Sequence, residues 1–70
     1  MPPFDVDAVF TYHSPKGNQP ERYVKIREKA KELANLLLQE TPVSREQSLA
    51  LTHLQTAVMF ANAAIAINEA

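Results

Sequence analysis

The chain has no cysteine and a single glycine. The first absence excludes disulfides, and with them a cysteine-rich zinc site, because the only other candidate ring nitrogens belong to His13 and His53. Long apolar runs are missing too: the richest segment, Ala57 to Ile67, falls short of the roughly 20 residues a bilayer span needs and is interrupted by Asn62. The N-terminus lacks the basic-then-apolar order of a secretory signal. These features predict a chain that stays in the cytoplasm and enters no membrane. Excess positive charge is also lacking. A formal net charge of -1 excludes general DNA coating, which needs a basic surface to displace counterions from many phosphates.

What is present is apolar. Seventy residues make one domain at most, and a single core of that size is marginal because too much of its surface stays wet. With 46% of its residues hydrophobic, the chain carries more apolar surface than one short helical pair can hide, so subunits are expected to share a core. The basic residues are concentrated. Lys16, Arg22, Lys25, Arg27, Lys29 and Lys31 lie within sixteen positions, opposed there only by Glu21 and Glu28, which offers local positive charge to a local anion.

The pattern predicts an all-α protein: an N-terminal arm over 1–19, a first long helix over 20–40 and a second over 44–70, folded as an antiparallel hairpin and assembled into a helical oligomer. Pro2, Pro3, Pro15, Gly17 and Asn18 break the arm too often for a long helix, although Asp5 to Phe10 has room for one turn. Pro20 suits the first position of a helix, with Glu21 favoured in its first turn. Tyr23, Ile26, Ala30, Leu33 and Leu37 then repeat at intervals of three and four, lining one face. Ser44-Arg45-Glu46-Gln47 reads as a capping box, with the Ser44 hydroxyl accepting from the Gln47 amide and the Gln47 side chain returning to the Ser44 amide. The second helix shows two apolar faces, one through Ala50 or Leu51, Leu54, Ala57 with Val58, Ala61 and Ile65 and another through Leu49, Thr56, Phe60, Ala63 and Ile67. The short connection makes the helices neighbours, so one face closes the hairpin and the other is left for another subunit.

The arm carries the most unusual cluster, with Phe10, Tyr12, His13 and Lys16 in seven residues. Aromatic rings stack on nucleobases and nearby cations answer phosphates; alternatively, Phe10 and Tyr12 staple the arm to the helices. On the first helix Tyr23 belongs to the apolar stripe with Arg22 beside it, and Arg27 stands at the stripe's edge. From there its guanidinium reaches either a ligand phosphate or a carboxylate of a neighbouring subunit. Glu21 and Lys25 are spaced as an ordinary helical ion pair. Asn62, within the run Ala61 to Ala66, is expected to be partly buried and to need a hydrogen-bond partner, with a subunit contact as one source. No nucleophile with evident partners, phosphate-cradling glycine loop or carboxylate pair points to an enzyme, and nothing calls for a cofactor.

The run Phe10-x-Tyr12-His13-x-Pro15, followed by Gln19, Arg22-Tyr23, Ile26-Arg27, Pro42-x-Ser44-Arg45-Glu46, Ser48-Leu49-Ala50-Leu51-Thr52, Leu54 and Ala57-Val58-Met59-x-Ala61-Asn62-Ala63-Ala64-Ile65-Ala66, resembles a known family. That family is the helical-hairpin domain shared by phage anti-CBASS cyclic-nucleotide sponges and one type of anti-Thoeris protein. The resemblance implies a sponge in the cytoplasm of an infected bacterial host, sequestering cyclic di- or trinucleotides such as 3′,3′-cyclic GMP-AMP without cleaving them. It also implies a hexamer built from dimers, with dinucleotide pockets between paired subunits. Tyr12 and Arg27 match the family's ligand-binding aromatic and basic residues, although the basic residue there is a lysine. Phe10, His13, Lys16, Arg22 and Tyr23 join them as candidates by proximity alone. Two other readings stay open: an assembly hairpin of an anti-Thoeris protein whose ligand is a cyclic ADP-ribose isomer, and a protein-interaction module working through the arm.

Overall fold

A computed structural model describes residues 4–69. Pro2, Pro3 and Ala70, which the sequence reading included in the arm and the last helix, lie outside the described residues. Three helices follow one another: α1 (Val6–Phe10), α2 (Gln19–Glu40) and α3 (Arg45–Asn68). Among the described residues there is no strand. The single turn allowed for the arm is therefore a short helix, started by the Asp5 carboxylate accepting from the Ala8 amide at 3.1 Å.

Gly17 takes a left-handed φ of 51°, which a glycine adopts without steric penalty, and the chain turns there into α2. Pro20 occupies the first turn, where its missing N–H costs no helical bond. The helix ends at Thr41, whose extended backbone leads into Pro42, and α3 starts after Ser44. The four-residue connection lays α3 antiparallel against α2, as the short spacing requires.

Ser44 caps as expected, its hydroxyl accepting from the Gln47 amide at 3.1 Å. The other half of the capping box differs. The Gln47 side chain passes over the Ser44 amide and donates instead to the carbonyl and hydroxyl of Thr41, at 3.1 and 3.2 Å. That choice satisfies a carbonyl stranded at the end of α2 and ties the two helices across the turn.

The contact between the helices is formed by Tyr23, Ile26, Ala30, Ala34 and Leu37 of α2 with Leu51, Leu54, Val58, Ala61 and Ile65 of α3, all buried or half-buried. Leu33, expected on this stripe, is exposed, and Ala34 takes its place: small residues at 30 and 34 let the helices approach closely. Ile65, at 7% exposure, is the only buried hydrophobic side chain among the described residues, and none is fully buried. On the second face of α3, Leu49 and Phe60 are exposed, Phe60 at 73%, whereas Thr56, Ala63 and Ile67 are half-buried.

The molecule is 42 × 27 × 18 Å with a radius of gyration of 14.9 Å, against about 11 Å for a compact domain of this length. Its accessible surface is 5724 Å², where a folded monomer of this mass would expose about 4,400 Å². A single chain thus makes a hairpin without making a closed core.

One expectation needs correction. By length and composition α3, with a mean hydropathy of 1.4 over its best window, is apolar enough to cross a membrane. Its alanines raise the average past Asn62, so a count of uninterrupted apolar residues understated it. Thr52, His53, Gln55, Thr56 and Asn62 remain polar groups that a bilayer would leave unsolvated, and α3 shows the same length and composition as a core helix shared between subunits.

Candidate functional site

The predicted site residues separate into two groups. Tyr12, His13, Lys16 and Arg22 gather where the arm meets the open end of the hairpin. Arg27 stands further along α2, about 12 Å beyond Gln19 at 1.5 Å per residue.

At the open end, His13 Nε2 donates to the Ala8 carbonyl at 2.6 Å, folding the arm back on α1. Phe10 packs its ring against Phe4, centroids 6.4 Å apart and tilted by 56°, and is otherwise exposed. Tyr12 projects into solvent with 82% exposure, so it does not staple the arm to the helices. Lys16 is exposed, and its backbone N–H donates to the Gln19 carboxamide oxygen at 3.0 Å. Tyr23 is half-buried in the interhelical contact.

Arg22 is already engaged. Its two terminal nitrogens donate to the two Glu69 oxygens at 2.6 and 3.0 Å, the parallel fork that guanidinium and carboxylate geometry favours. The hydrogen bond from Arg22 is the main reason the Glu69 carboxyl is held below its ordinary value of 4.5, with desolvation opposing and the arginine charge assisting. The same bond raises Arg22 above its ordinary range. Because Glu69 is lowered on folding, the pair's contribution is fully present above the ordinary carboxylate range and fades as pH falls through the lowered value. Thermal melts are therefore expected to lose a small increment below about pH 4. Glu69→Gln should flatten that part of the profile, and an unchanged profile would show the pair to be idle. Both partners are partly exposed, so salt should also weaken it.

Arg27 makes no hydrogen bond or ion pair among the described residues. The predicted Glu21–Lys25 pair does not form either, and Glu32 is taken by Lys29 at 3.3 Å. Arg27 and Lys31 stand on the rim of an apolar groove of about 410 Å³, floored by Leu51, Leu54, Val58 and Met59. A groove with an apolar floor and two unpaired cations on one edge accepts a flat ring with an attached anion. On the opposite side of the hairpin a second groove, about 270 Å³, runs between Ile26, Leu33 and Ala57. Arg27 lines the first of these grooves, and Tyr12 lines neither of the two.

The burial of two glutamines was not legible in the sequence. Gln19 and Gln47 are 5% and 8% exposed, and each bonds through its carboxamide at one end of the hairpin. Gln47 showed itself as a cap residue, and Gln19 as a residue before Pro20 and part of the family pattern. Its partner Glu69 lies 50 positions away, beyond any local pattern.

No curated protein and no solved structure matches the chain. A family model does, the one described as the Acb2/Tad1 hairpin domain, and it aligns with residues 3–66. That span takes in the arm, both long helices and the turn between them, together with every motif on which the resemblance to anti-defence sponges rests. The chain therefore belongs to the Acb2/Tad1 hairpin-domain family.

Proposed function

We propose that the protein is a phage anti-defence sponge that binds a cyclic oligonucleotide messenger of the CBASS type, such as 3′,3′-cyclic GMP-AMP, and holds it without cleaving it. Family membership over residues 3–66 is the observation that carries this reading. The geometry supports it in chemical terms. Tyr12 offers an exposed ring for a base to stack on, worth about 1–3 kcal/mol per base when water is excluded. Arg27, with no carboxylate partner among the described residues, keeps its bidentate fork for a phosphate. Sequestration needs affinity alone, which suits a site without nucleophile or general base.

None of the grooves described is lined by both residues, and the pocket is read as composite, Tyr12 from one subunit and Arg27 from another. Surface area argues in the same direction. The chain exposes about 1,300 Å² more than a folded monomer of its mass, above the roughly 800 Å² per partner of a standard interface. Asn62 Oδ1 is buried within the single chain with no hydrogen-bond partner, a group the hairpin alone leaves unsatisfied. A hexamer built from dimers is the assembly proposed.

Calorimetric titration with 3′,3′-cyclic GMP-AMP, then heat denaturation and chromatography of the released nucleotide, tests the function. Tight binding with intact recovery is expected. Recovery of altered nucleotide would make the protein an enzyme. Silence with cyclic di- and trinucleotides but binding of a cyclic ADP-ribose isomer would move it to the anti-Thoeris side of its family.

A further inference from the structure

Gln19 is the most buried polar residue described, at 5% exposure, and a buried carboxamide is costly unless both of its ends are bonded. Both are. Its oxygen accepts from the Lys16 N–H at 3.0 Å, and its nitrogen donates to the Glu69 carbonyl at 3.1 Å. Beside it, the Gln19 N–H donates to the Lys16 carbonyl at 2.8 Å. The same Glu69 holds Arg22 through its side chain, so the end of α3 is fastened to the first turn of α2 by backbone and side chain together.

The other hydrogen bonds of the arm are local: Ala8 to Asp5, Val9 to Asp5 and His13 to Ala8. Among the described residues no hydrogen bond or ion pair runs directly from residues 4–16 to α3. Residues 4–9 line a cavity together with Ile67 and Asn68 of α3, and the hydrogen-bonded link from the arm that carries Tyr12 to the hairpin is the Lys16–Gln19 turn, braced against α3 by one carboxamide.

We propose that Gln19 is a positioning residue: by linking Lys16 to Glu69 it sets the arm at a fixed attitude to the hairpin, so that Tyr12 is held in place before ligand arrives. This rests on the sponge reading for its ligand. The physical consequence is preorganisation. An arm already fixed loses less conformational freedom on binding, and an arm set loose binds from a diluted population of competent states.

Gln19→Met keeps the side-chain length and apolar bulk while removing both bonds. Gln47→Met does the same to the other buried carboxamide, at the far end of the hairpin, and controls for loss of stability alone. In the full chain, Gln19→Met is expected to weaken 3′,3′-cyclic GMP-AMP binding roughly tenfold. It should also lower backbone order parameters across Thr11 to Ser14, with the sedimentation coefficient unchanged. Gln47→Met should bind as the wild type does. The proposal is overturned if Gln19→Met binds like the wild type, or if the two variants lose affinity equally, which would make both glutamines fold supports only. A wild type inert toward the nucleotide would sink the sponge reading separately. The order parameters would then decide the positioning role, and no change in them on Gln19→Met would overturn it.

Discussion

Tyr12→Ala and Arg27→Ala should each weaken 3′,3′-cyclic GMP-AMP binding by roughly tenfold to a hundredfold, and neither should change the oligomer. The range follows from what each removes. Loss of one stacked base costs about 1–3 kcal/mol, and loss of a charge-assisted hydrogen bond to phosphate about 1.5–3 kcal/mol. Both side chains are exposed in the single chain, and Arg27 holds no internal ion pair, so truncation leaves no buried group unsatisfied. Arg27→Lys should retain part of the affinity, because an ammonium still answers the phosphate charge but without the planar fork. The composite pocket has a sharper signature. Mixing the Tyr12→Ala and Arg27→Ala proteins and letting subunits exchange should restore a fraction of high-affinity sites, since some pockets then receive an intact ring and an intact guanidinium from different chains. Mixtures that never recover binding would place both residues in one chain's own site and remove the composite pocket.

Phe60→Asp should break the assembly and take most of the helix content with it. Phe60 is 73% exposed in the hairpin and lies on the face of α3 turned away from α2. Covering such a ring is worth about 1.5–3 kcal/mol, repeated at every copy, and a carboxylate in its place would resist desolvation at each contact. The effect on folding follows from the internal packing. With Ile65 the only buried hydrophobic residue among those described, the hairpin on its own has little to hold it. Circular dichroism and sedimentation should therefore change together. For the wild type, the unfolding temperature should rise with protein concentration, as it does when association and folding are linked. A Phe60→Asp protein that sediments as a monomer yet melts cooperatively with full helicity would contradict this account.

Much of the fold could be read along the chain because its causes are local. Proline at the helix start, Ser44 at a cap, apolar residues every three or four positions and a connection too short for anything but an antiparallel turn all act within a few residues of where they stand. The same locality explains the misreadings. Leu33 and Ala34 both fit a stripe of period 3.6, and only the distance between packed helices selects the alanine. Gln47 had two acceptable partners nearby, the Ser44 amide and Thr41, and the path of the turn decided between them.

The site divides the same way. The residue types that suit a cyclic nucleotide, an aromatic ring on the arm and a basic residue at the edge of α2, were legible from composition and motif, as was the family to which they point. The setting of the arm against the hairpin was not, since it depends on contacts between residues distant in sequence. Nor was the fate of Arg22, which looked like a free cation in sequence and is engaged by Glu69, 47 positions away. By itself, then, the sequence determined the helices, their hairpin order and the surplus of apolar surface, because periodicity, capping and composition are properties of neighbouring residues. Only the tertiary structure decided that Gln19, Arg22 and Glu69 close one end and that Arg27 and Lys31 line an apolar groove with α3, because such contacts join residues that no local pattern relates.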